Sequence, residues 1–480
     1  TVIEALLKDA VKHQTAHEYD SARILFNKCI LLDSNNYLPY FLLGNLEKDL
    51  GNFYQAISYI ENSLEHNNRY INSYLCLCSI YLEIKNHKHA ITALQKGILI
   101  NQTSIDLRLK LSEVYVAIGL FKKASTIFYE IIQLDSKNFY SYYRLVQLDH
   151  KVLDKNLKNI LKENFKNNQL ADNQKIYINL LLAKYESKID RSNKEFQYLL
   201  EGHKLHYELN RSFFSNNNQF IFGKLKNIQT YFDKNIDITF SNQLRKSMKP
   251  IFIFGLPRSG STLIEKMIIK DNPKYVSGEE TKLFNLIADT IFFNKCENNI
   301  NLALEKIFTS YVDKFKSSEN IFFTDKSLNN FFFLGWIKKL FPNAKLVHCI
   351  RNPYIVSSSI LRHNLSNLTW AHKLEDIVQY IDLYQEVISE WKSFGIDYYD
   401  IHYDNLVNNF ESETKKLFEY CEIDWNNDLI NFNKNNNYVS RTASNIKVRS
   451  RFSNNEDEKY FSLAKHLYHQ INRPNWDKIN

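Results

Sequence analysis

The chain has 480 residues, enough for roughly two or three domains of ordinary size. Hydrophobic residues make up 44% of it and charged residues 24%, as in ordinary globular proteins, whereas the 11 glycines and 7 prolines are well below average usage. This composition excludes collagen and low-complexity disorder, and it argues against an all-β fold with many Gly/Pro turns.

The 61 Lys and Arg against 53 Asp and Glu give a net charge of +8, which favours anionic ligands only mildly. Basic residues do not concentrate on one predicted element, so the sequence predicts no nucleic-acid partner. The six cysteines have neither metal-ligand nor redox spacing, and no apolar run reaches about 18 residues. We therefore expect a cytoplasmic protein without a membrane span. A removed leader stays open, because the first residue is Thr1.

The first third repeats itself every 34 residues. An alanine recurs at this interval, with an aromatic residue or histidine three positions earlier, and these alanines are Ala22, Ala56, Ala90 and Ala124. Such a pattern predicts paired helices that approach each other at the small alanine. It resembles the tetratricopeptide repeat over roughly residues 3–140, and a degenerate pair is expected at residues 176–209. We expect the whole helical array to span residues 1–210 and to bind a partner.

A second domain is predicted for residues 250–480, after a connecting segment at residues 211–249. Its first segment is a β-branched and aromatic run, then a glycine-bearing turn, then apolar residues at helical spacing. Strand, loop and helix in this order form a phosphate cradle, in which backbone N–H groups and the helix dipole face an anion. The loop reads G-x-x-x-x-G-S-T from Gly255 to Thr262, with Arg258 inside it and without the Walker A lysine.

Two further strands are predicted at residues 321–324 and 345–350, joined by a helical segment as in a βαβ unit. Charged residues follow each strand, including Lys326 after the first and Arg351 after the second. In open parallel sheets ligands bind outside the carboxyl ends of the strands, so we expect these two residues and Arg258 to face one crevice. The predicted fold is a helical solenoid followed by a P-loop-like, three-layer α/β domain with a mainly parallel sheet.

The segments LPRSGSTL, TDKSLNNFFFLGWI and FPNAKLVHCIRNP resemble the sulfotransferases that use 3′-phosphoadenosine 5′-phosphosulfate, PAPS. SGEETK at residues 277–282 resembles the tyrosylprotein sulfotransferases in particular. With its repeats, the chain resembles a tetratricopeptide-repeat sulfotransferase, over roughly residues 250–450 for the catalytic part and the first 210 residues for the repeats. The resemblance implies PAPS as the sulfuryl donor.

The resemblance also implies which residues bind the nucleotide. The loop that would hold the 5′-phosphosulfate consists of Pro257, Arg258, Ser259, Gly260, Ser261 and Thr262. The 3′-phosphate would be held by Arg351 and Ser359, with Arg362 assisting, and Tyr403 would lie near the adenine. Arg449 and Ser444 would belong to a segment that closes over the nucleotide, in which Lys447 replaces the usual glutamine.

The same resemblance implies four catalytic residues: Glu280, Lys326, Arg258 and Ser444. Lys326 would stabilise charge on the bridging oxygen, and Glu280 would accept the proton of the acceptor. Glu279 stays open as an alternative base, with His363 or His372 next in line. Arginine and lysine can supply the charge stabilisation by themselves, and no spacing typical of metal ligands is present, so no metal is expected.

Three functions remain to be weighed. The first is a PAPS-dependent sulfotransferase whose repeats position a hydroxyl acceptor, which could be a protein tyrosine, a glycan or a small metabolite. The second is a P-loop kinase-like phosphotransferase, against which the missing Walker lysine argues. The third is a catalytically silent scaffold, against which the presence of Arg258, Lys326 and Arg351 argues.

Overall fold

A computed structural model describes residues 1–16, 18–167, 170–270, 272, 274–315 and 322–426, and the single residues 460, 461, 464, 465, 468 and 476. The chain divides into two compact units, Thr1–Val152 and Leu153–Asn480. The domain boundaries at residues 210 and 250 stay predictions.

The first unit is built from consecutive helices that pack against each other in pairs. Its helices are α1 (Val2–Thr15), α2 (Tyr19–Leu32), α3 (Tyr37–Asp49), α4 (Phe53–His66), α5 (Ile71–Glu83), α6 (His87–Ile100), α7 (Ile105–Ala117), α8 (Phe121–Leu134) and α9 (Phe139–Leu148). The four repeat alanines lie at the same position of α2, α4, α6 and α8, and each is fully buried. A larger side chain there would separate the helices, which explains the period seen in the sequence.

The turns inside the helical pairs repeat as well. Gly51, Lys85 and Gly119 stand 34 residues apart and share a left-handed backbone, with φ of 81°, 57° and 82°. Glycine adopts this conformation without a steric penalty, which explains its recurrence at the turn.

The second unit opens with a layer of helices. These are α10 (Lys155–Phe165), α11 (Asp172–Lys188), α12 (Ser192–Leu209), α13 (Arg211–Gly223) and α14 (Asn242–Ser247). The degenerate pair expected at residues 176–209 corresponds to α11 and α12. Part of the segment expected to be a simple connection is helical, because α13 buries Phe214 and Asn218. The Asn218 side chain donates to Asp376 at 2.9 Å and accepts from the Thr369 hydroxyl at 2.6 Å, contacts that no local pattern reveals.

A five-stranded parallel sheet forms the centre of the second unit. Its strands are β1 (Ile251–Gly255), β2 (Tyr275–Ser277), β3 (Phe322–Asp325), β4 (Lys345–Ile350) and β5 (Tyr399–His402). They lie in the order β2-β3-β1-β4-β5, and each adjacent pair is parallel. The helices around it are α15 (Ser261–Ile269), α16 (Asn285–Phe293), α17 (Ile300–Phe315), α18 (Leu334–Leu340), α19 (Pro353–Leu361), α20 (Leu374–Ser393), α21 (Tyr403–Asn408) and α22 (Phe410–Tyr420).

Both faces of the sheet are buried, as parallel sheets require. Ile251 and Ile253 point to one face, where they pack with residues of α15 and α22. Phe252 and Phe254 point to the other, where they join a large aromatic core with α16, α17 and α20. The predicted fold class is therefore confirmed: a helical repeat region precedes a three-layer α/β domain. Among the described residues, no helix is long and apolar enough to cross a membrane.

Candidate active site

The predicted site residues collect at the carboxyl edge of the sheet. β1 lies between β3 and β4 in the sheet. After β1 the chain continues to β2 and β3 on one side of β1, and it then crosses to β4 and β5 on the other side. The residues after these three central strands include the loop from Leu256 to Gly260, then Lys326, then Arg351. This is the topological switch point at which open parallel sheets bind ligands.

Two glycines shape the loop after β1. A Cβ atom on Gly255 would lie 2.5 Å from the Cys349 carbonyl oxygen, and one on Gly260 would lie 2.6 Å from the Tyr403 ring. Gly260 also has a φ of 104°, which strongly favours glycine. Arg258 is left-handed too, with a φ of 72°. A non-glycine residue in this conformation costs about 1 kcal/mol or more, and such strain is typical of binding loops.

The loop leads into the N-terminus of α15, where Ser261 and Thr262 form the first turn and are buried. Pro257 is buried in the loop itself. The Ser259 hydroxyl is also buried, and it has no hydrogen-bond partner among the described residues. A buried hydroxyl without a partner costs free energy, so it favours a ligand that accepts its proton. Together with the helix N-terminus, it makes this loop suited to an anion.

Arg258 and Arg351 lie next to each other beside the loop. Arg258 Nε donates to Ser359 Oγ at 3.2 Å, and Arg351 Nη1 donates to the Arg258 carbonyl oxygen at 3.1 Å. The Arg351 guanidinium also stacks on the Tyr403 ring, 4.2 Å from its centroid. Four residues predicted from separate segments are thus brought into one cluster of two cations, a hydroxyl and an aromatic ring.

His363 joins this cluster. Its Nδ1 lies 2.7 Å from the Ser359 carbonyl oxygen, an acceptor, so Nδ1 carries the proton. In the neutral ring Nε2 is then an acceptor, and it lies 3.4 Å from Arg258 Nη2. The sequence named His363 only as a reserve base. Its position four residues after Ser359, just beyond the end of α19, is the signal that could have indicated this contact.

A buried lysine and a half-buried carboxylate face each other at the end of β3. Lys326 Nζ lies 3.3 Å from Glu280 Oε1, with the lysine side chain 2% exposed and the glutamate 31% exposed. Burial acts to lower the pKa of Lys326, but the carboxylates of Glu265, Glu280 and Glu279 outweigh it, so the net shift is upward. Lys326 is therefore an ammonium ion in a largely water-free position.

The two adjacent glutamates of the GEE sequence differ in geometry. Glu279 is left-handed, with a φ of 52°; its N–H donates to Glu265 and its carbonyl accepts from the Lys326 N–H at 2.7 Å. Glu280 places its side-chain carboxylate against the Lys326 ammonium. The carboxylate in contact with the buried cation therefore belongs to Glu280.

Asp325 holds the surroundings of this pair in place. Its carboxylate accepts hydrogen bonds from Tyr311, Thr281, Asn330 and both the N–H and the hydroxyl of Ser327. These contacts fix the residues that follow Glu280 and Lys326 in the chain. Asp325 is thus a structural anchor beside the site.

The remaining predicted site residues are placed differently. Arg362, at the end of α19, donates to the buried Glu195 of α12 at 3.1 Å and stacks on Tyr460 with a separation of 3.7 Å. Its assistance to a 3′-phosphate stays a prediction. Ser444 and Arg449 lie outside the described residues, as does Lys447. Within the part of the chain that the structure describes, no group of three or more His, Cys, Asp or Glu side chains could hold a metal ion.

Family models and known proteins match the two regions separately. Residues 250–427 match the sulfotransferase family, and residues 39–69 match the tetratricopeptide repeat. A protein of Aquifex aeolicus (strain VF5) named only as uncharacterized is 29% identical over 240 residues, covering 46% of this chain and 31% of that protein. Protein-tyrosine sulfotransferase A of Caenorhabditis elegans is 24% identical over 204 residues, covering 38% of this chain and 51% of that protein.

The chain thus spans between about a third and a half of the length of these curated relatives. Among solved structures, the MamA protein is 18% identical and covers 44% of this chain and 94% of its own, with a TM-score of 0.27. The tetratricopeptide-repeat protein YrrB is 16% identical and covers 40% of this chain and 89% of its own, with a TM-score of 0.26.

Proposed function

Because residues 250–427 match the sulfotransferase family and residues 39–69 match the tetratricopeptide repeat, we propose that this protein is a PAPS-dependent sulfotransferase acting on a hydroxyl acceptor. The observation that carries the proposal is the contact between Lys326 and Glu280. It lies at the topological switch point of the sheet, as does the loop that contains Arg258. The loop can bind a phosphate, the buried cation can stabilise the oxygen that is left on that phosphate, and the carboxylate can accept a proton. Together these groups are suited to the transfer of a sulfuryl group from a phosphate.

The loop fits a nucleotide that bears a sulfated phosphate. The Ser259 hydroxyl is buried without a partner among the described residues, the α15 N-terminus follows it, and Gly260 lets the loop pass close to the Tyr403 ring. We propose that Arg351, whose guanidinium donates to the Arg258 carbonyl oxygen and stacks on the Tyr403 ring, receives a second phosphate. We propose that this ring lies beside the adenine.

When bound, PAPS supplies an activated sulfuryl group joined to a phosphate oxygen. The transfer breaks that sulfur–oxygen bond and forms one from sulfur to the acceptor oxygen. Lys326 offers its ammonium to the oxygen that gains charge as the bond breaks, and Arg258 stabilises the negative charge spread over the transferred group. Both cations are in place beforehand, so little reorganisation is needed. We propose that no metal takes part.

Glu280 is proposed to take the proton of the acceptor hydroxyl. Its carboxylate is accessible, unlike Lys326, so an acceptor approaching from solvent can reach it. After proton uptake Glu280 is neutral and no longer offsets the charge of the Lys326 ammonium. That charge therefore acts more strongly on the leaving phosphate oxygen at the moment at which that oxygen gains charge.

The repeats are proposed to position the acceptor. Stacked helical pairs commonly bind peptides or proteins along an extended surface. The SGEETK segment and the similarity to a protein-tyrosine sulfotransferase favour a protein tyrosine as the acceptor, and a glycan hydroxyl and a small metabolite are the alternatives. The unpatterned cysteines favour a cytoplasmic location as part of this proposal.

The test is transfer of labelled sulfate from PAPS to a panel of tyrosine peptides, glycans and metabolites. We expect transfer to at least one class, and no transfer of label from γ-labelled ATP. Lys326→Met should abolish the transfer, whereas Lys306→Met, a control at an exposed position of α17, should leave it unchanged. Phosphoryl transfer from ATP would favour the kinase-like alternative, and binding of PAPS without transfer to any acceptor would favour a silent scaffold.

A further inference from the structure

Besides Glu279 and Glu280, a third carboxylate, that of Glu265, lies near Lys326. Glu265, in the second turn of α15, is fully buried. Its Oε1 accepts hydrogen bonds from Thr324 Oγ1 at 2.8 Å, Ser277 Oγ at 2.9 Å and the Glu279 N–H at 3.3 Å. One carboxylate oxygen of α15 therefore hydrogen-bonds to the end of β2, to β3 and to the turn that contains Glu279 and Glu280.

These three hydrogen bonds do not by themselves require a charge. An amide oxygen could accept all of them, and Glu265 Oε2 has no hydrogen-bond partner among the described residues. A fully buried carboxylate is expensive unless a cation lies near it. Lys326 is the buried cation nearby: it follows Thr324 by two residues, its N–H donates to the Glu279 carbonyl oxygen, and the negative charge of Glu265 favours its ammonium form.

We propose that Glu265 is a positioning residue with two tasks: it fixes the turn that carries Glu279 and Glu280, and it keeps Lys326 charged throughout the transfer. This inference rests on the proposed function. When Glu280 takes the acceptor proton, Lys326 loses one counter-charge just as its own charge is needed. Glu265 is fully buried and held by three hydrogen-bond donors, so it keeps its position near Lys326 after Glu280 has become neutral.

The charged groups that face Lys326 define the alternatives. Glu265 faces it from α15, while Glu280 and Glu279 face it from the turn after β2. Asp325 precedes it in the chain, but both Asp325 oxygens already accept hydrogen bonds from other residues. Of the three carboxylates that face it, only Glu265 is fully buried, and it alone is both fixed and remote from the acceptor.

The test uses the full chain with Glu265→Gln, which keeps the acceptor oxygen and removes the charge. Lysines labelled with carbon-13 at Cε allow Lys326 to be titrated by NMR, with its signal identified by its absence in Lys326→Arg. We expect a lower pKa for Lys326 in Glu265→Gln. Consistently, the alkaline limb of the kcat profile should move to lower pH, and kcat should fall more than tenfold while KM for the nucleotide changes less than threefold.

A control variant separates this effect from general loss of stability. Glu186→Gln removes another buried carboxylate of the second unit, one that pairs with Lys158 at 2.9 Å, away from the loop. It should lower the melting temperature comparably without moving the Lys326 titration or the pH profile. Glu265→Asp, which keeps the charge but shortens the reach, should preserve the titration and lower kcat.

An unchanged Lys326 titration in Glu265→Gln would overturn the inference. If that variant fails to fold, Lys326 is titrated in Glu265→Asp and in Glu280→Gln instead. It should stay protonated to high pH in both variants. Loss of its charge near neutral pH in Glu280→Gln would overturn the inference. The titration needs no sulfuryl transfer. Absence of transfer by the unaltered chain therefore contradicts the proposed function alone. A lowered pKa of Lys326 in Glu265→Gln would still support its electrostatic coupling to Glu265.

Discussion

Glu280→Gln is the substitution that tests the proposed chemistry most directly. Glutamine has nearly the same size and can still accept a hydrogen bond from Lys326, whose Nζ lies 3.3 Å from the carboxylate. It cannot take up the proton of an acceptor at neutral pH. The change therefore removes basicity while leaving the geometry of the site close to the original.

The expected loss in turnover is large and the expected loss in stability is small. Removing a positioned general base slows a reaction by about two to four orders of magnitude, which raises the barrier by about 3 to 5 kcal/mol. The Glu280 side chain is 31% exposed, so its pairing with Lys326 resembles a partly screened ion pair worth about 1 kcal/mol or less. Lys326 also keeps Glu265 as a counter-charge. The variant should thus fold normally and bind the nucleotide.

The assay combines initial rates of labelled sulfate transfer with calorimetric titration of the product nucleotide, 3′-phosphoadenosine 5′-phosphate. The matched control is Glu279→Gln, because the hydrogen bonds of Glu279 with Glu265 and Lys326 are made by its backbone, which the substitution leaves intact. We expect Glu279→Gln to keep at least a third of the original turnover with unchanged nucleotide affinity.

Two results would refute this reasoning. If Glu279→Gln loses turnover by a hundredfold or more and Glu280→Gln does not, the base is the neighbouring residue despite the side-chain contact with Lys326. If neither variant slows the reaction by tenfold, the proton goes elsewhere. His363, whose Nε2 lies 3.4 Å from Arg258, would then be the next group to replace.

Three further outcomes follow from the loop and its cations. Arg351→Ala should weaken binding of PAPS by about tenfold to a hundredfold, and that of adenosine 5′-phosphosulfate, which lacks the 3′-phosphate, by less; calorimetry with both nucleotides measures this. Turnover should survive EDTA, and a requirement for added magnesium would contradict the proposed role of the cations. Gly260→Ala should lower the unfolding free energy by about 1 to 3 kcal/mol and weaken nucleotide binding, because its Cβ would lie 2.6 Å from Tyr403 at a φ of 104°. Gly223→Ala, which meets nothing within 4 Å, is the control in thermal unfolding and should change neither property.

The sequence could predict what short, local rules determine. The 34-residue alanine period follows from helix packing, and all four alanines are fully buried. The strand, loop and helix around Gly255 follow from apolar runs and turn residues, and the strand predicted at residues 345–350 coincides with β4. Because parallel strands share a carboxyl edge, the same rules brought Arg258, Lys326 and Arg351 to one edge.

Contacts between distant segments could not be predicted in this way. Glu265 occupies an ordinary helical position, and its partners come from β3 and from the segment between Ser277 and Glu279. Likewise, the Asn-rich sequence of α13 has weak helix propensity, yet Asn218 is held by two side chains about 150 residues later. A single sequence contains no signal that links such residues, since they are joined only by the folded chain.

We expect the chain to be divisible before Leu153 but not before Ser241. A fragment beginning at Ser241 contains every loop, strand and cation of the proposed nucleotide site, and sequence reasoning alone would choose it. In the structure, however, α12 belongs to the second compact unit, where Glu195 pairs with Arg362 and His203 contacts the Leu361 carbonyl oxygen at 2.7 Å.

Removal of α12 would leave Arg362, at the end of α19, without its buried carboxylate and expose part of the core. Truncation at Ser241 should therefore give an insoluble or molten product, whereas a fragment beginning at Leu153 should melt cooperatively and bind the nucleotide as tightly as the full chain. Melting followed by circular dichroism and calorimetric binding distinguish the two. A stable, nucleotide-binding fragment from Ser241 would show that α12 is dispensable. A folded fragment from Leu153 without nucleotide affinity would show that the first unit contributes to that site.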